Sequence, residues 1–251
     1  MRFLLWWAGR VTVRAAVNDA KPRVLPPRRM YWHSLNHFSK PMKRTLGCIL
    51  FGLILSVATA ADIAVAPSGI YENIDVRLSV DTVKALRDLN GEKQMKVANA
   101  VMAKPEEFNP PVLYVLSSVL LEQGKKDEAV FWFYAAQLRG RIDANICADK
   151  TAVAIIDALN QKFAPPINQY SSTNLSRLTN VVERVLAWEE KTPCHYDRRW
   201  INLPGMNAMN HDTHSALSAP PEQWEAIRQR TREECAAAFH QAWAASNGQR
   251  R

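Results

Sequence analysis

Apolar side chains recur along this chain at helical intervals. Leu175, Leu178, Val182 and Val185 fall three and four apart, as do Trp224, Ile227, Thr231, Cys235, Ala238 and Ala242, so each set paints one stripe on a helix. Punctuating residues mark out the other elements. Asp81 can cap a helix running to Asn90, with Gly91 as its stop, and a second helix fits Glu92 to Ala103 before Lys104-Pro105. Pro110-Pro111 opens an apolar helix that ends at Gln123-Gly124, and Asp127 begins another that the pattern stops at Gly140. Ile142, Ile146, Val153, Ile156, Leu159 and Phe163 then keep helical spacing until Pro165-Pro166, which is expected to end that run. The 175–191 helix follows, and Pro220-Pro221 introduces the last one. Residues 61–78 read as strand or coil around Pro67-Ser68-Gly69, and no stretch of the body alternates convincingly as a strand. The pattern predicts an all-α fold, an irregular bundle of about seven helices.

Charge changes the picture less than its total suggests. The net charge of +8 would direct attention to nucleic acid, yet residues 1–60 hold ten basic side chains and one acid, while residues 61–251 sum to −1. The folded body therefore has no bulk electrostatic reason to bind nucleic acid or anionic lipid. The basic N-terminal part contains a segment with every part of a secretory signal: Lys43 and Arg44, an apolar run from Leu46 to Val57, and the small residues of Ala58-Thr59-Ala60. A spanning helix needs roughly 20 apolar residues, and Asp62 arrives too soon for that. The reading is a signal peptide over 42–60, cleavage after Ala60, a mature helical domain over 61–251, and a periplasmic or secreted location without stable membrane insertion. Residues 1–41, rich in Arg, Pro and Trp, are expected to be an over-extended translation start that belongs to no fold; the rival reading is a basic arm.

Export makes the cysteines of the mature chain candidates for oxidation. Of Cys147, Cys194 and Cys235 only two can pair, and Cys147 with Cys194 is the expected disulfide, with Cys194–Cys235 next.

Leu116, Leu120, Gln123-Gly124, Asp127-Glu128-Ala129, Phe133 and Ala136 fall at the spacing of a tetratricopeptide-like helical hairpin. Small residues at 129 and 136 let two antiparallel helices approach, and Gly124 supplies the turn. The stretch from Ala129 to Ala136 resembles the second helix of the SEL-type variant, so residues 110–143 resemble one such hairpin. Ser117 stands where the family has Gly and Arg141 where it has Pro, and no second copy is evident. Phe131, Trp132, Phe133 and Tyr134 point in four directions on a helix, so either neighbours surround them or one or two rings are exposed for a partner.

Residues 192–219 form the longest irregular stretch, and long loops in compact domains carry function more often than others. His195, His211, His214 and Cys194 offer nitrogen and sulfur ligands suited to zinc, although the two later histidines sit on loop and Cys194 has a competing role. Adjacency of Cys194 and His195 aims their side chains apart, which disfavours a nucleophile–base pair. No G-x-S-x-G, H-E-x-x-H or phosphate-cradling glycine loop occurs, so no catalytic residue, metal ligand set or cofactor is assigned. Asp197-Arg198-Arg199 could offer bidentate donors to an acidic partner. The candidate partner-binding residues are Trp132, Tyr134, Tyr196, Arg198, Arg199 and Trp200.

Compartment, size and hairpin together are similar to the periplasmic immunity proteins that block a secreted antibacterial effector. That resemblance implies a non-enzymatic, protein-binding module acting by occlusion. The alternatives are a metal-assisted hydrolase using the histidines of 192–219, and an envelope assembly factor.

Overall fold

The two most apolar runs of the body become a central helical hairpin around which the other helices are arranged. The computed structural model describes residues 67–212 and 214–248. The signal segment 42–60, the 1–41 extension and the cleavage point before Ala61 lie outside the described residues. The helices are α1 (Arg77–Asp88), α2 (Gly91–Ala103), α3 (Pro110–Glu122), α4 (Lys126–Ile146), α5 (Ala154–Ser171), α6 (Leu175–Lys191), α7 (Met206–Met209) and α8 (Trp224–Gly248). Short 3-10 turns intervene, including Gly69–Asn73, Pro105–Glu107, Lys150–Val153 and Arg198–Asn202. No strand occurs among the described residues; an isolated antiparallel bridge joins Cys147 to Ser218. The fold is an irregular all-α bundle, and the seven longer helices among the described residues match the number that periodicity implies. No helix among the described residues is long and apolar enough to cross a membrane.

Pro110 and Pro111 can open α3 because the first turn of a helix needs no amide donors. At its other end Gly124 takes φ +76°, a left-handed conformation that lets the chain reverse directly into α4. Helix α4 is buried at every position from Ala129 to Ile146 except the half-buried Phe131, Arg141 and Asn145. It lies against α3, α5, α6 and α8, while α3 also meets α1, α2 and α5. Three of the four aromatics of α4 are thus enclosed, and the half-buried Phe131 lies edge-on to Trp132 and Trp188. Polar ties cross this interior: Tyr114 Oη and Gln137 Nε2 both donate to Asn160 Oδ1 at 2.7 Å, linking α3, α4 and α5.

Two expected helix stops are not stops. Gly140 sits inside α4, where a Cβ would lie 2.9 Å from Ile156 Cδ1 and 3.7 Å from Pro110 Cβ. It is a close-approach residue between α4, α5 and the start of α3. Pro165 and Pro166 lie inside α5, and both are exposed, while Ala164 and Ile167 beside them are buried. The apolar anchors hold the helix on the body, and the missing amide donors fall on the face where carbonyls can bond to water.

Gly140→Val is expected to lower stability by about 1–3 kcal/mol, since both branches press on Ile156 and Pro110. Pro166→Ala is expected to raise stability by about 1 kcal/mol or more, because a helix-interior proline is replaced at an exposed site. Urea midpoints of the two variants test the opposite signs.

Candidate functional site

The irregular segment after α6 is ordered, and one stripe of α4 orders it. Arg139, Asp143 and Cys147 are spaced four apart and share a face. Each holds a successive part of the segment. Arg139, fully buried, donates through Nη2 to Pro193 O at 3.0 Å and Thr192 O at 3.3 Å, and through Nη1 to Pro105 O at 2.9 Å. Its guanidinium also covers the Trp188 ring at 4.3 Å. Asp143, likewise fully buried, accepts from Arg198 Nη1 at 2.8 Å, Tyr196 Oη at 2.9 Å and Trp200 Nε1 at 2.8 Å. Cys147 Sγ donates to Asn202 Oδ1 at 3.2 Å.

Burial pushes the Asp143 carboxyl above its usual range, and Arg198, Trp200, Tyr196 and Arg139 pull it back. Burial likewise holds the Tyr196 phenol well above its usual range, so it remains a donor at neutral pH.

A second anchor fixes the far half of the segment. Asp149 Oδ1 accepts from Thr151 N at 2.8 Å and Thr151 Oγ1 at 2.6 Å, while Oδ2 accepts from Asn207 N at 3.1 Å. Thr151 Oγ1 in turn accepts from Met206 N at 2.9 Å. Gly205 is required beside this carboxylate, since a Cβ there would lie 2.3 Å from Asp149 Oδ2. Desolvation raises the Asp149 pKa, but hydrogen bonds from Thr151, Asn207 and Ala152 outweigh it, and the net direction is down.

The third buried carboxylate, Glu189 on α6, accepts from Arg228 Nε at 2.7 Å and Arg232 Nη1 at 3.0 Å, both on α8. Arg228 Nη2 also donates to the carbonyls of Glu189, Glu190 and Thr192, capping the end of α6. Thr192 O is therefore shared by guanidiniums from α4 and α8.

The structure puts most of the candidate partner-binding side chains inside. Trp132 and Tyr134 are buried in α4, Trp132 lying edge-on to Phe131 and Trp188 with ring centroids 5.2 and 5.6 Å away. Arg198 and Trp200 are buried on Asp143, and Tyr196 is half-buried there. These residues hold the segment down and do not present it. Arg199 is the most accessible of the six, paired with Asp197 at 2.7 Å and donating to Asn73 O at 3.1 Å.

Cys147, Cys194 and Cys235 are all free thiols, so the expected Cys147–Cys194 bridge is not formed. The preceding Pro193 is held by Arg139, and residues 139 and 147 lie roughly 12 Å apart along α4. A disulfide needs Cα atoms within about 7 Å, and Cys147 is meanwhile engaged with Asn202. Cys235 lies on the buried face of α8, where it accepts from Arg141 Nη1 at 3.8 Å.

The histidines also part company. Among the described residues, the trio whose ligand atoms lie close enough to share a cation is Glu106, Glu107 and His195, all within 4.8 Å of one another. His211 pairs with Ser68 Oγ, and the backbone of His214 donates to Asp212 at 2.8 Å. The ligand set weighed as an alternative, loop histidines pooled with Cys194, is not assembled among the described residues, and His195 bonds Glu107 at 3.1 Å on the partly exposed 3-10 turn.

No protein-family profile matches the chain, and no solved structure does. A curated protein of Haemophilus influenzae (strain ATCC 51907 / DSM 11121 / KW20 / Rd), described there as uncharacterized, is 24% identical over 206 residues. The match takes in 76% of this chain and 79% of that protein. Such a span exceeds the 110–143 hairpin several times over, so the likeness belongs to the wider chain.

Arg139, Asp143, Asp149 and Glu189 were not singled out by the sequence pattern. The available signal was an Arg and an Asp four apart in an otherwise apolar helix, a spacing that demands buried partners.

Asp143→Ala is expected to cost about 3–5 kcal/mol, because Arg198 keeps its charge without a counter-ion. Arg199→Ala, at a solvent-screened pair, should cost under about 1 kcal/mol. Denaturant titrations of the two variants rank them. A pH series isolates Asp149. Its depressed pKa contributes stability above the ordinary carboxylate value near 3.9, and the contribution is lost as pH falls through the depressed value. The urea midpoints of wild type and Asp149→Asn should differ at pH 7, and the difference should shrink progressively as the pH is taken below about 3.9.

Proposed function

We propose that this chain is an exported protein-binding module, of the kind that protects a cell by occluding a secreted effector enzyme. The observation that carries the reading is the pair Met206 and Met209. They stand one turn apart on α7, and each keeps 49% of its surface exposed. Few large apolar side chains among the described residues are this open; Leu78 and Val80 on α1 are the others. Methionine is unbranched and polarizable, which suits it to packing against a partner's surface.

The base beneath this pair is fixed. Met206 N is held by Thr151 and Asn207 N by Asp149, so the ridge does not have to be ordered when a partner arrives. Exposed Asn210 and His211 give it a polar rim. The contact surface thus moves from the aromatic and arginine residues first considered to the outer side of the same segment. The tetratricopeptide-like hairpin serves as the scaffold in this reading, since its helices are covered by α1, α2, α5, α6 and α8. Export is supported by the signal-like sequence of 42–60.

The experiment is co-expression of the chain with the products of its flanking genes. A mature N-terminus at Ala61 and a co-purifying neighbour are expected. Met206→Glu with Met209→Glu should weaken that complex by about 100-fold or more while leaving the urea midpoint unchanged. Lack of any complex with those neighbours, or a complex indifferent to both substitutions, rejects the proposal.

A further inference from the structure

We infer that residues 196–212 open from the body as a unit, a strap that swings on its two ends while the helical core stays folded. Among the described residues, hydrogen bonds between one main-chain group and another fasten the segment to the body only on either side of this stretch. His195 N donates to Glu106 O at 2.8 Å on one side. On the other, Ala148 N donates to Leu217 O at 3.3 Å and Ala219 N to Ile146 O at 2.8 Å. Between them, the main-chain pairs formed by residues 196–212 are local, as in Trp200 to Asp197, Leu203 to Trp200 and Asp212 to Asn207.

What holds the strap down is a set of side-chain bonds. Tyr196, Arg198 and Trp200 reach Asp143, Asn202 meets Cys147, and Met206 and Asn207 meet Thr151 and Asp149. Near the two ends of the strap, Arg199 reaches Asn73 O and His211 meets Ser68. Its buried apolar members, Trp200 and Ile201, belong to a small cluster with Ala144, Cys147, Ala152 and Ile156. That cluster is separate from the main core, which is built from α1–α6 and α8. Opening therefore breaks polar latches and one small apolar patch, and leaves the helix ladders and the large core intact. Segments of that kind open at a lower free energy than the whole domain.

Cys147 reports the event. It is 2% exposed under the strap, with its thiol on Asn202, whereas Cys235, equally buried, belongs to the main core. Burial holds the Cys147 thiol up at about 11 and raises that of Cys235 too, so both are poor nucleophiles while covered. Each becomes an ordinary thiol once uncovered.

The test is N-ethylmaleimide labelling of the full chain at pH 7 across a urea series, with peptide mass spectrometry measuring each cysteine. Without urea, Cys147 is expected to label at least about tenfold faster than Cys235, with a shallower urea dependence, because local opening exposes less surface. Tyr196→Phe removes one donor from Asp143 and should raise the Cys147 rate about tenfold with the Cys235 rate unchanged. Equal rates and slopes for the two thiols overturn the inference. So does a Tyr196→Phe variant that speeds both equally. Should that variant fail to fold, the wild-type comparison decides alone. No partner protein enters the measurement, so its result stands apart from the proposed function.

Discussion

A carboxylate sealed from water has to find its hydrogen-bond donors within the fold, and Asp143 finds three of them in one short stretch of chain. Tyr196, Arg198 and Trp200 lie 53, 55 and 57 residues further on, yet all converge on the same two oxygens. An unpaired carboxylate buried in the last turn of α4 would be costly enough to undo a domain of this size. The need to satisfy it therefore dictates where an otherwise irregular segment must lie. Arg139 and Cys147, one turn to either side, extend the same rule along the helix face. The 192–202 path is in this sense a negative image of the polar stripe on α4.

The helices were largely legible because their information is local. The stripes at 175–185 and 224–242, and the glycine turn at 124, need nothing beyond neighbouring residues to be read. Asp81, read as a cap, lies inside α1, which already begins at Arg77; the two helix stops fail for another reason, which is dependence on distant partners. Gly140 looks like a terminator until Ile156 is seen to occupy the space of its missing Cβ. Pro165-Pro166 looks like a breaker until Ala164 and Ile167 are seen to pin the helix from the other side. In the 192–219 segment, three of the side chains read as partner-binding are turned onto Asp143. Trp200, Arg198 and Tyr196 have the chemistry of binding residues, and the interior of the fold is what they bind.

Charge shows the same inversion. The body is close to neutral overall, yet it encloses Arg139, Asp143 and Glu189 completely, with Arg198 nearly so. These groups do not form isolated pairs. Glu189 has two guanidinium partners, and Arg139 and Arg228 each also donate to backbone carbonyls at or just past the end of α6. Such ions contribute little net stability compared with apolar packing, but they discriminate sharply against alternative arrangements of the chain. They fix which loop lies on which helix, a choice that apolar contacts alone would leave poorly specified.

The shared carbonyl of Thr192 has a consequence for how the end of α6 is completed. Arg139 reaches it from 53 residues before, and Arg228, which with Arg232 neutralises Glu189 beside it, from 36 residues after. Without α8 in place, the end of α6 carries a carboxylate with no counter-ion and carbonyls that are only partly capped. One oxygen thus ties three stretches of chain that are far apart in sequence, and loosening any one of them uncovers polar groups belonging to the other two.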